Sequence, residues 1–322
     1  MPHMKTILIT AIGGDIAQGV ATVLREARPE YRLIGVDLHD QHGGTLFVDA
    51  FHRIPAASDA GYLEALKAVV DREGVDIVLP VSEPELAVLA RKRFAGVTWL
   101  TCGEQAVAAG LDKLATAQRL ASLGLPVPWT LAADEGLPPQ FPCILKSRTG
   151  SGSRSVFVVK DSDDVAYLLK RVPDAVYQEL LLPADREVTC AVFRAQDGRV
   201  ATLQMLRKLV GGFTGWARII DDAATAEMCK AIAEGLDVKG SINVQLRLTA
   251  QGPRVFEINP RFSSTTLMRH RLGFSDAVWA LDDVEGRPFK MASVVPGAIA
   301  VRVQNAAVVV PANCCTIGSQ QG

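Results

Sequence analysis

The chain has 322 residues, of which 48% are hydrophobic and 21% charged, and its formal net charge at pH 7 is -1. At roughly 100–200 residues per domain, this length predicts two or three domains, each with its own hydrophobic core. The balanced charge, with no basic run, argues against general binding to nucleic acid or to a membrane surface.

The sequence also lacks the signals of a membrane or secreted protein. No apolar stretch reaches the roughly 20 residues that cross a bilayer, and no secretory signal opens the chain. The six cysteines lack metal-ligand spacing and read as reduced residues, mostly in the core, so a cytoplasmic location is expected. Residues 311–322 are small and polar, which predicts a disordered or foreign tail.

In the first part of the chain, short apolar strand candidates alternate with helical patterns. The strand candidates are residues 5–10, 31–38, 76–81 and 97–101. The first is followed by Ala-Ile-Gly-Gly and a helical pattern. Strands that alternate with helices in this way predict a parallel sheet covered on both faces. We therefore predict an α/β domain over residues 1–105.

The pattern changes after residue 105. A helical stretch over residues 112–123 ends at Gly124, and the later strand candidates come in pairs at hairpin spacing. The pairs are 143–147 with 155–160, 187–194 with 199–206, and 242–248 with 254–258. Such pairs predict an α+β second part with antiparallel sheets.

The last of these pairs suggests a metal site. A turn near Gln251-Gly252 would place Gln245 opposite Glu257, with Asn259 on the same face. Apolar residues of both strands, Phe256 among them, would then share the other face. Magnesium prefers carboxylate and amide oxygens of this kind. The alternative is an ordinary amphipathic hairpin with one solvated face.

The segment that ends this hairpin resembles a known family. Gln245 followed by Glu257-Ile-Asn259-Pro-Arg261 is similar to the metal signature of ATP-grasp enzymes, especially the synthetase units of the carbamoyl-phosphate synthetase large subunit and short stand-alone relatives. Other motifs of the family occur in the expected order, and the likeness extends to about residue 311. They are Asp112-Lys113, Cys143-Ile-Leu-Lys146, the loop 149–155, Tyr177-Gln-Glu-Leu-Leu181 and Arg186-Glu187-Val-Thr.

The resemblance implies an α/β fold in which a Rossmann-like pre-ATP-grasp domain precedes an α+β ATP-grasp fold whose two lobes clasp ATP. The limits that follow are residues 1–105, a small lobe over 106–182 and a large lobe over 183–310. Residues 149–155 become a flexible glycine-rich loop over the phosphates, since Gly150 and Gly152 allow a backbone that presents N–H groups.

The resemblance also assigns roles to individual residues. Lys146 and Arg261 are implied as catalytic residues, and Gln245, Glu257 and Asn259 as ligands of Mg²⁺, with Mn²⁺ as a substitute. The implied ATP-binding residues are Lys113, Lys146, Gly150, Ser151, Gly152, Ser153, Glu179, Leu180, Leu181, Glu187 and Arg207. The expected substrate contacts are Arg218, Ser263, Ser264 and Thr265, with Ser82 and Glu83 in the wall of the acceptor site.

Two positions depart from the commoner family pattern. Gln245 stands where many relatives carry glutamate, which lowers the charge of the site and predicts that metal binds mainly with nucleotide. Ser155 replaces a frequent glycine after Arg154, which bears on the flexibility of the loop.

The function expected from the resemblance is an ADP-forming ligase. ATP would phosphorylate a small-molecule carboxylate, and an amine or similar nucleophile would attack the acyl phosphate. The alternatives are a carboxyphosphate or carbamate enzyme, a nucleotide-binding module without ligase activity, and an NAD-dependent oxidoreductase. The last rests on the glycines after the first strand and on Asp37 after the second. The substrates and the oligomeric state stay open, with a homodimer among the options.

Overall fold

The structure is a computed structural model that describes residues 4–90, 92–150, 155–292 and 294–303. Within these ranges the chain forms one parallel sheet of five strands and two further sheets, of four and six strands, that are antiparallel. The predicted fold class is therefore confirmed. None of the described helices is both long enough and apolar enough to span a membrane.

The first sheet is parallel and has the strand order β3-β2-β1-β4-β5. Its strands are β1 (Thr6–Ile9), β2 (Arg32–Asp37), β3 (Ala50–Arg53), β4 (Ile77–Leu79) and β5 (Thr98–Trp99). The helices α1 (Asp15–Ala27), α2 (Tyr62–Glu73) and α3 (Glu83–Leu89), with a 3-10 turn at Gly43–Phe47, connect them. All four residues of β1 are buried, as expected for a strand covered on both faces.

The connections of this sheet reverse direction between β1 and β4. From β1 the chain continues outward through β2 and β3, and it then returns to place β4 on the other side of β1. Ligands of open α/β sheets bind outside the carboxyl ends of the strands at such a reversal. The loops that border this crevice are residues 10–15 and 80–82.

The four-stranded sheet has the order β6-β9-β7-β8. Its strands are β6 (Thr130–Ala132), β7 (Cys143–Ser147), β8 (Val156–Val159) and β9 (Ala175–Glu179). The helices α4 (Glu104–Gly110) and α5 (Lys113–Ser122) precede it, a 3-10 turn (Ala133–Glu135) follows β6, and α6 (Ser162–Leu168) lies between β8 and β9. Asp112 caps α5 by accepting hydrogen bonds from Leu114 N and Ala115 N, which fixes where that helix begins.

The six-stranded sheet has the order β14-β13-β10-β11-β12-β15. Its strands are β10 (Glu187–Arg194), β11 (Val200–Val210), β12 (Phe213–Ile220), β13 (Gly240–Thr249), β14 (Gly252–Asn259) and β15 (Ile299–Val301). The helices around it are α7 (Ala223–Gly235), α8 (Thr266–Arg271) and α9 (Asp276–Val284). All three predicted hairpin pairs form, whereas β12 and β15 had no counterpart in the predicted pairs.

The two faces of this sheet have different neighbours. One face carries Val188, Cys190 and Val244 and packs under α7. The opposite face packs its central residues, such as Phe193 and Met205, in one core with β1 and α1 of the first sheet. Toward the end where β10 begins, this second face turns polar. The core therefore joins the sheet to the N-terminal part while leaving its polar end open.

The domain limits at residues 105 and 182 remain a prediction, and they fall between the three sheets. The predicted tail, residues 311–322, lies outside the described residues. The four described cysteines are free and buried, and the expectation of core positions holds for Cys102, Cys143 and Cys190.

Candidate active site

A cleft of about 510 Å³ lies between the four-stranded and the six-stranded sheet. Most of the residues predicted to bind ATP line it, together with two of the three predicted metal ligands. These lining residues are Lys113, Lys146, Gly150, Glu179, Leu180, Leu181, Glu187, Arg207, Gln245 and Glu257. The structure thus gathers residues of α5 and of both sheets around one space.

The hairpin of β13 and β14 has the predicted cross-strand pair. Gln245 lies directly opposite Glu257, and Asn243 lies opposite Asn259. The turn is one residue earlier than expected, because Thr249 pairs with Gly252. A register shift between Gln245 and Leu246 adds one residue to β14 and restores the predicted pairing.

This β-bulge corrects the prediction for Phe256. Val255, not Phe256, pairs with Leu246 and is buried in the core. Phe256 instead lines the cleft, where its ring lies 5.5 Å from Lys146 Nζ. The extra residue of the bulge therefore exchanges an expected core side chain for a cleft side chain.

Asn259 and Arg261 lie beyond the cleft, beside the N-terminal sheet. Arg261 Nη2 donates to Asn259 Oδ1 at 3.1 Å and to Glu83 Oε1 at 2.7 Å. The side chains of Arg261 and Glu83 are 9% and 8% exposed, so this ion pair is largely desolvated. It connects the end of β14 to the start of α3. The predicted acceptor-site residue Glu83 thus contacts the predicted catalytic arginine.

Lys146 is almost completely buried at the bottom of the cleft. Its Nζ donates to Gln178 Oε1 at 2.8 Å and to the carbonyl oxygen of Phe256 at 3.2 Å. Burial lowers the pKa of Lys146 to about 8, Lys113 acts in the same direction, and Glu257 opposes it. Gln178, which had not been predicted, therefore fixes this lysine.

Lys113 lies at the mouth of the cleft, next to the glycine-rich loop. Its Nζ donates to the carbonyl oxygen of Gly150 at 2.6 Å and lies 4.0 Å from Glu257 Oε1. Gly150 has a φ of +80°, a conformation that favours glycine. Ser151, Gly152 and Ser153 lie outside the described residues.

An ion-pair network covers the wall formed by β10, β11 and β13. Arg207 donates to Glu187 Oε1 and, at 2.9 Å, to Gln245 Oε1. Arg247 donates to the other oxygen of Glu187 at 2.7 Å and to the carbonyl oxygen of Leu181 at 2.8 Å. Arg247, which had not been predicted, thus connects Glu187 with the segment 179–181.

Glu179 contributes structure as well as position. Its carboxylate accepts from Arg254 and from the backbone N–H of Trp129. Its side chain is therefore occupied, and the backbone of residues 179–181 is what remains for a base.

Three of the four expected substrate contacts are placed differently. Arg218 pairs with Leu206, which packs on the α7 side of the sheet, so Arg218 lies on the face opposite to Arg207. Ser263 and Thr265 are buried and their hydroxyls contact each other at 2.8 Å. The structure therefore places Arg218 on the face away from the cleft, and its contact with substrate stays a prediction.

The buried arginine Arg269 uses Ser263 and Thr265. Arg269 Nη1 contacts both hydroxyls, and its other nitrogens pair with Asp276. These two residues therefore hold a loop in place rather than facing the acceptor. Ser264 does not belong to this buried cluster, and its carbonyl oxygen accepts a hydrogen bond from Arg302 at 2.7 Å.

The glycines after β1 do not form a dinucleotide site in the expected way. Asp37 Oδ2 accepts the backbone N–H of Gly13 at 2.8 Å, and its Oδ1 accepts that of Leu38. A ribose would have to compete with these bonds. Asp37, His39 and His42 also bring ligand atoms within 4.8 Å of one another. However, His42 Nδ1 accepts from Gly44 N, which leaves the proton on Nε2 and disfavours metal binding there.

A second cavity, of about 700 Å³, lies between the end of β5 and the end of β10. Arg93, Trp99 and Arg194 contribute to its lining. Of the described residues predicted for nucleotide, metal or catalysis, it touches Arg261 alone. The cleft between the four-stranded and the six-stranded sheet is therefore the candidate nucleotide site.

The predicted metal ligands fit a magnesium ion in the type of atom that they offer. Glu257 supplies a carboxylate whose Oε1 lies 4.0 Å from Lys113 Nζ, and Gln245 and Asn259 supply amide oxygens on the same sheet face. Both amide oxygens accept from arginines, Arg207 and Arg261, and each keeps a second lone pair. The set has one carboxylate, as expected for an ion that arrives with nucleotide.

Comparison with known proteins agrees with this geometry. The family described as "ATP-grasp in the biosynthetic pathway with Ter operon" matches residues 173–309, and the PylC-like N-terminal domain matches residues 7–99. A D-alanine–D-alanine ligase from Mycolicibacterium gilvum is 27% identical over 340 aligned positions, which cover 91% of this chain and 88% of that protein. A second, from Mycobacterium bovis, is 26% identical and covers 71% and 70%.

Solved structures share the fold. An N5-carboxyaminoimidazole ribonucleotide synthetase in complex with ADP superimposes with a TM-score of 0.76 at 19% identity, over 94% of this chain and 83% of that one. A Campylobacter jejuni biotin carboxylase in complex with an ATP analogue gives a TM-score of 0.69 at 18% identity, over 92% and 74%. The fold is therefore that of ATP-grasp proteins, and residues 173–309 match an ATP-grasp family model. The matched regions thus place an ATP-grasp region after a PylC-like N-terminal domain in this chain.

Proposed function

We propose that the protein uses ATP and Mg²⁺ to phosphorylate a small-molecule carboxylate and then couples the acyl group to an amine. The observation that carries the proposal is the convergence of Lys146, Gln245 and Glu257 on one cleft. From Glu257, at that cleft, the chain continues to Arg261, which pairs with Glu83 at the N-terminal sheet. The nucleotide and the acceptor would therefore meet where the six-stranded sheet adjoins the N-terminal sheet.

The cleft offers a binding mode for each part of ATP. The base would lie against the backbone of residues 179–181, and the ribose hydroxyls would donate to Glu187. Lys113 and Lys146 would face the phosphates as point charges. The N–H groups around Gly150 would add further donors.

The metal ligands in this proposal are Glu257, Asn259 and Gln245. A magnesium ion bound by them supplies charge neutralisation for the transferring phosphoryl group. Gln245 would bind the ion through its second lone pair and keep its bond to Arg207, which also donates to Glu187. Metal binding is thereby coupled to the wall that faces the ribose.

Arg261 is proposed to stabilise the acyl phosphate. The γ-phosphoryl group moves from ATP to a carboxylate oxygen and leaves ADP. The amine, after giving up one proton to solvent, attacks the acyl carbon through its neutral nitrogen, and the leaving phosphate takes the second proton from that nitrogen. No protein nucleophile is needed, because the acyl group is carried by phosphate. Catalysis would come from positioning and from positive charge on Lys146 and Arg261.

The direct test is ADP release in the presence of Mg-ATP and a panel of carboxylates and amines, with bicarbonate included among the acids. We expect ADP release that needs both an acid and an amine. Glu257→Gln should reduce it by at least about 100-fold, or roughly 2.7 kcal/mol. Glu227→Gln, an exposed acid on α7, is the matched control and should leave it unchanged.

Other outcomes point to other functions. ADP release that needs bicarbonate and no other acid would indicate a carboxyphosphate enzyme. Mg-ATP binding with no ADP release across the panel would indicate a binding module. Protection against heat by NAD rather than by Mg-ATP would overturn the nucleotide assignment itself.

A further inference from the structure

At the crevice between β1 and β4, three hydroxyl groups donate hydrogen bonds to one buried carboxylate, that of Glu85. Thr10, after β1, and Ser82, after β4, each donate a hydroxyl hydrogen bond of 2.6 Å to Glu85. Tyr62 donates to the second oxygen of Glu85 at 3.2 Å, so this buried carboxylate has partners on both oxygens. The carboxyl ends of the two strands are therefore tied together, and the loops after them keep a fixed separation.

The arginines at the rim of this crevice are already paired. Arg261 donates to Glu83 and to Asn259, as described above. Arg302, which follows β15, donates to the carbonyl oxygens of Ser264 and Thr214 at 2.7 and 3.3 Å. Each guanidinium thus has acceptors of its own.

Asp15, at the start of α1, is the acid that these arginines leave unsatisfied. Its Oδ2 is buried and has no hydrogen-bond partner among the described residues. The facing cation, Arg302 Nη2, is 3.5 Å away, which is an ion-pair contact but too long for a strong hydrogen bond. Burial raises the pKa of Asp15, although Arg302 and Arg261 act against this. The carboxylate would gain most from a further N–H donor with positive charge.

A second polar group in the same region lacks a partner. Asn259 is 4% exposed, and its Nδ2 has no hydrogen-bond acceptor among the described residues. Its amide oxygen accepts from Arg261, which in turn contacts Glu83 at the crevice. An N–H donor left unpaired beside Arg261 suits an oxygen-rich group such as an acyl phosphate.

We propose that Asp15 binds the ammonium group of the acceptor amine in this crevice. The proposal rests on the proposed ligase function and names its second substrate as a primary amine that is protonated in solution. The ammonium would fill the hydrogen-bonding position at Asp15 Oδ2, with Glu83 as the neighbouring acid across the crevice. The amine would then enter from the N-terminal sheet, and the acyl phosphate would be held on the side of Asn259 and Arg261.

The competing explanation is that Asp15 only stabilises the amino end of its helix. An acidic residue in the first turn of a helix interacts favourably with the helix dipole. Asp163, in the first turn of α6, has the same place in its helix but is exposed and remote from the crevice. Asp163→Asn is therefore the matched control for Asp15→Asn.

The test separates amine binding from acyl phosphate formation. Wild type and variants are assayed with Mg-ATP, the carboxylate found in the panel, and either the amine or hydroxylamine. Hydroxylamine is uncharged at neutral pH and traps acyl phosphates as hydroxamates. We expect Asp15→Asn to raise the KM for the amine by about 10- to 100-fold, since a charge-assisted hydrogen bond contributes roughly 1.5–3 kcal/mol. Its hydroxamate formation and its KM for ATP should stay within about twofold, a change of roughly 0.4 kcal/mol.

The other outcomes are distinct. An unchanged KM for the amine, or equal losses with amine and hydroxylamine, would overturn the role of Asp15. A melting temperature lowered equally in Asp15→Asn and Asp163→Asn, with no kinetic change, would leave only the helix-dipole explanation. If Asp15→Asn does not fold, Asp15→Ser takes its place in the same assay. Absence of hydroxamate in the wild type would instead contradict the proposed function.

Discussion

Lys146 Nζ lies 3.2 Å from the carbonyl oxygen of Phe256, so a lysine of the four-stranded sheet is hydrogen-bonded to the β-bulge of the six-stranded sheet. The same bulge places Glu257 opposite Gln245. One local irregularity therefore both connects the two sheets and aligns the proposed metal ligands. A nucleotide in the cleft would meet Lys146 and Glu257 in a fixed relationship.

The affinity for Mg-ATP should fall as the pH rises above about 8. Burial lowers the pKa of Lys146 to about 8, so the free protein loses this positive charge between neutral and mildly alkaline pH. ATP phosphates favour the charged form, and binding above this pH must therefore take up a proton. Calorimetric titration with Mg-ATP at pH 7 and pH 9 should show a larger Kd at the higher pH.

Lys146→Arg provides the control for this prediction. A guanidinium stays charged throughout this range, so the pH dependence of the Kd should be largely lost even if the affinity is lower. A Kd that is independent of pH in the wild type would contradict the role of Lys146 as a phosphate partner.

Glu83→Gln should slow turnover without weakening ATP binding. Glu83 is the carboxylate that pairs with Arg261 at 2.7 Å, and it lies outside the nucleotide cleft. Loss of its charge leaves Arg261 less firmly placed, and we expect kcat to fall about 10- to 100-fold, or roughly 1.4–2.7 kcal/mol. Steady-state kinetics and Mg-ATP titration of the same variant check both halves. A Kd for ATP that worsens as much as kcat would place Glu83 in the nucleotide site instead.

The sequence was most informative where alternation fixed the geometry. Residues of β13 and β14 alternate between apolar and polar, and a strand slipped by one residue would bury Glu257, so the pair with Gln245 could be predicted. The position of Phe256 could not be predicted in this way. A β-bulge adds one residue to the strand and restores the register, and the residue types in the sequence do not mark where it occurs. The parallel and antiparallel sheets could be predicted for the same reason, because the strand and helix patterns of apolar residues recur at regular spacing along the chain.

Long-range contacts explain most of what the sequence could not reveal. Arg302 and Asp15 lie near opposite ends of the chain and meet only because β15 adds to the edge of the six-stranded sheet. The sheet face of Arg218 could not be predicted because β12 had not been recognised as a strand. One strand position decides which face a side chain occupies. Ser263 and Thr265 are polar residues near a predicted site, but a buried arginine uses them.

Arg218→Ala should leave activity unchanged, whereas Arg207→Ala should impair it. Arg218 is exposed on the face away from the cleft, where it contacts the ring of Trp216. Arg207 lines the cleft and bonds to Glu187 and Gln245. We expect kcat/KM for ATP within about twofold for the first variant and lowered by at least about tenfold, or roughly 1.4 kcal/mol, for the second. A loss of activity in Arg218→Ala would restore the substrate role that the strand register denies it.

Asp276→Asn should strongly destabilise the protein. Asp276 is 1% exposed and pairs with Arg269, which is fully buried and also holds Ser263 and Thr265. Removing one charge leaves the other buried without compensation, which costs about 3–5 kcal/mol. Asp71→Asn is the control, because Asp71 pairs with Lys67 on an exposed helix surface and its loss should cost less than about 0.5 kcal/mol. Denaturant unfolding of the two variants beside the wild type measures both values. Similar small losses in the two would mean that Arg269 finds other acceptors, and the loop from 263 to 265 would then owe its position to backbone packing alone.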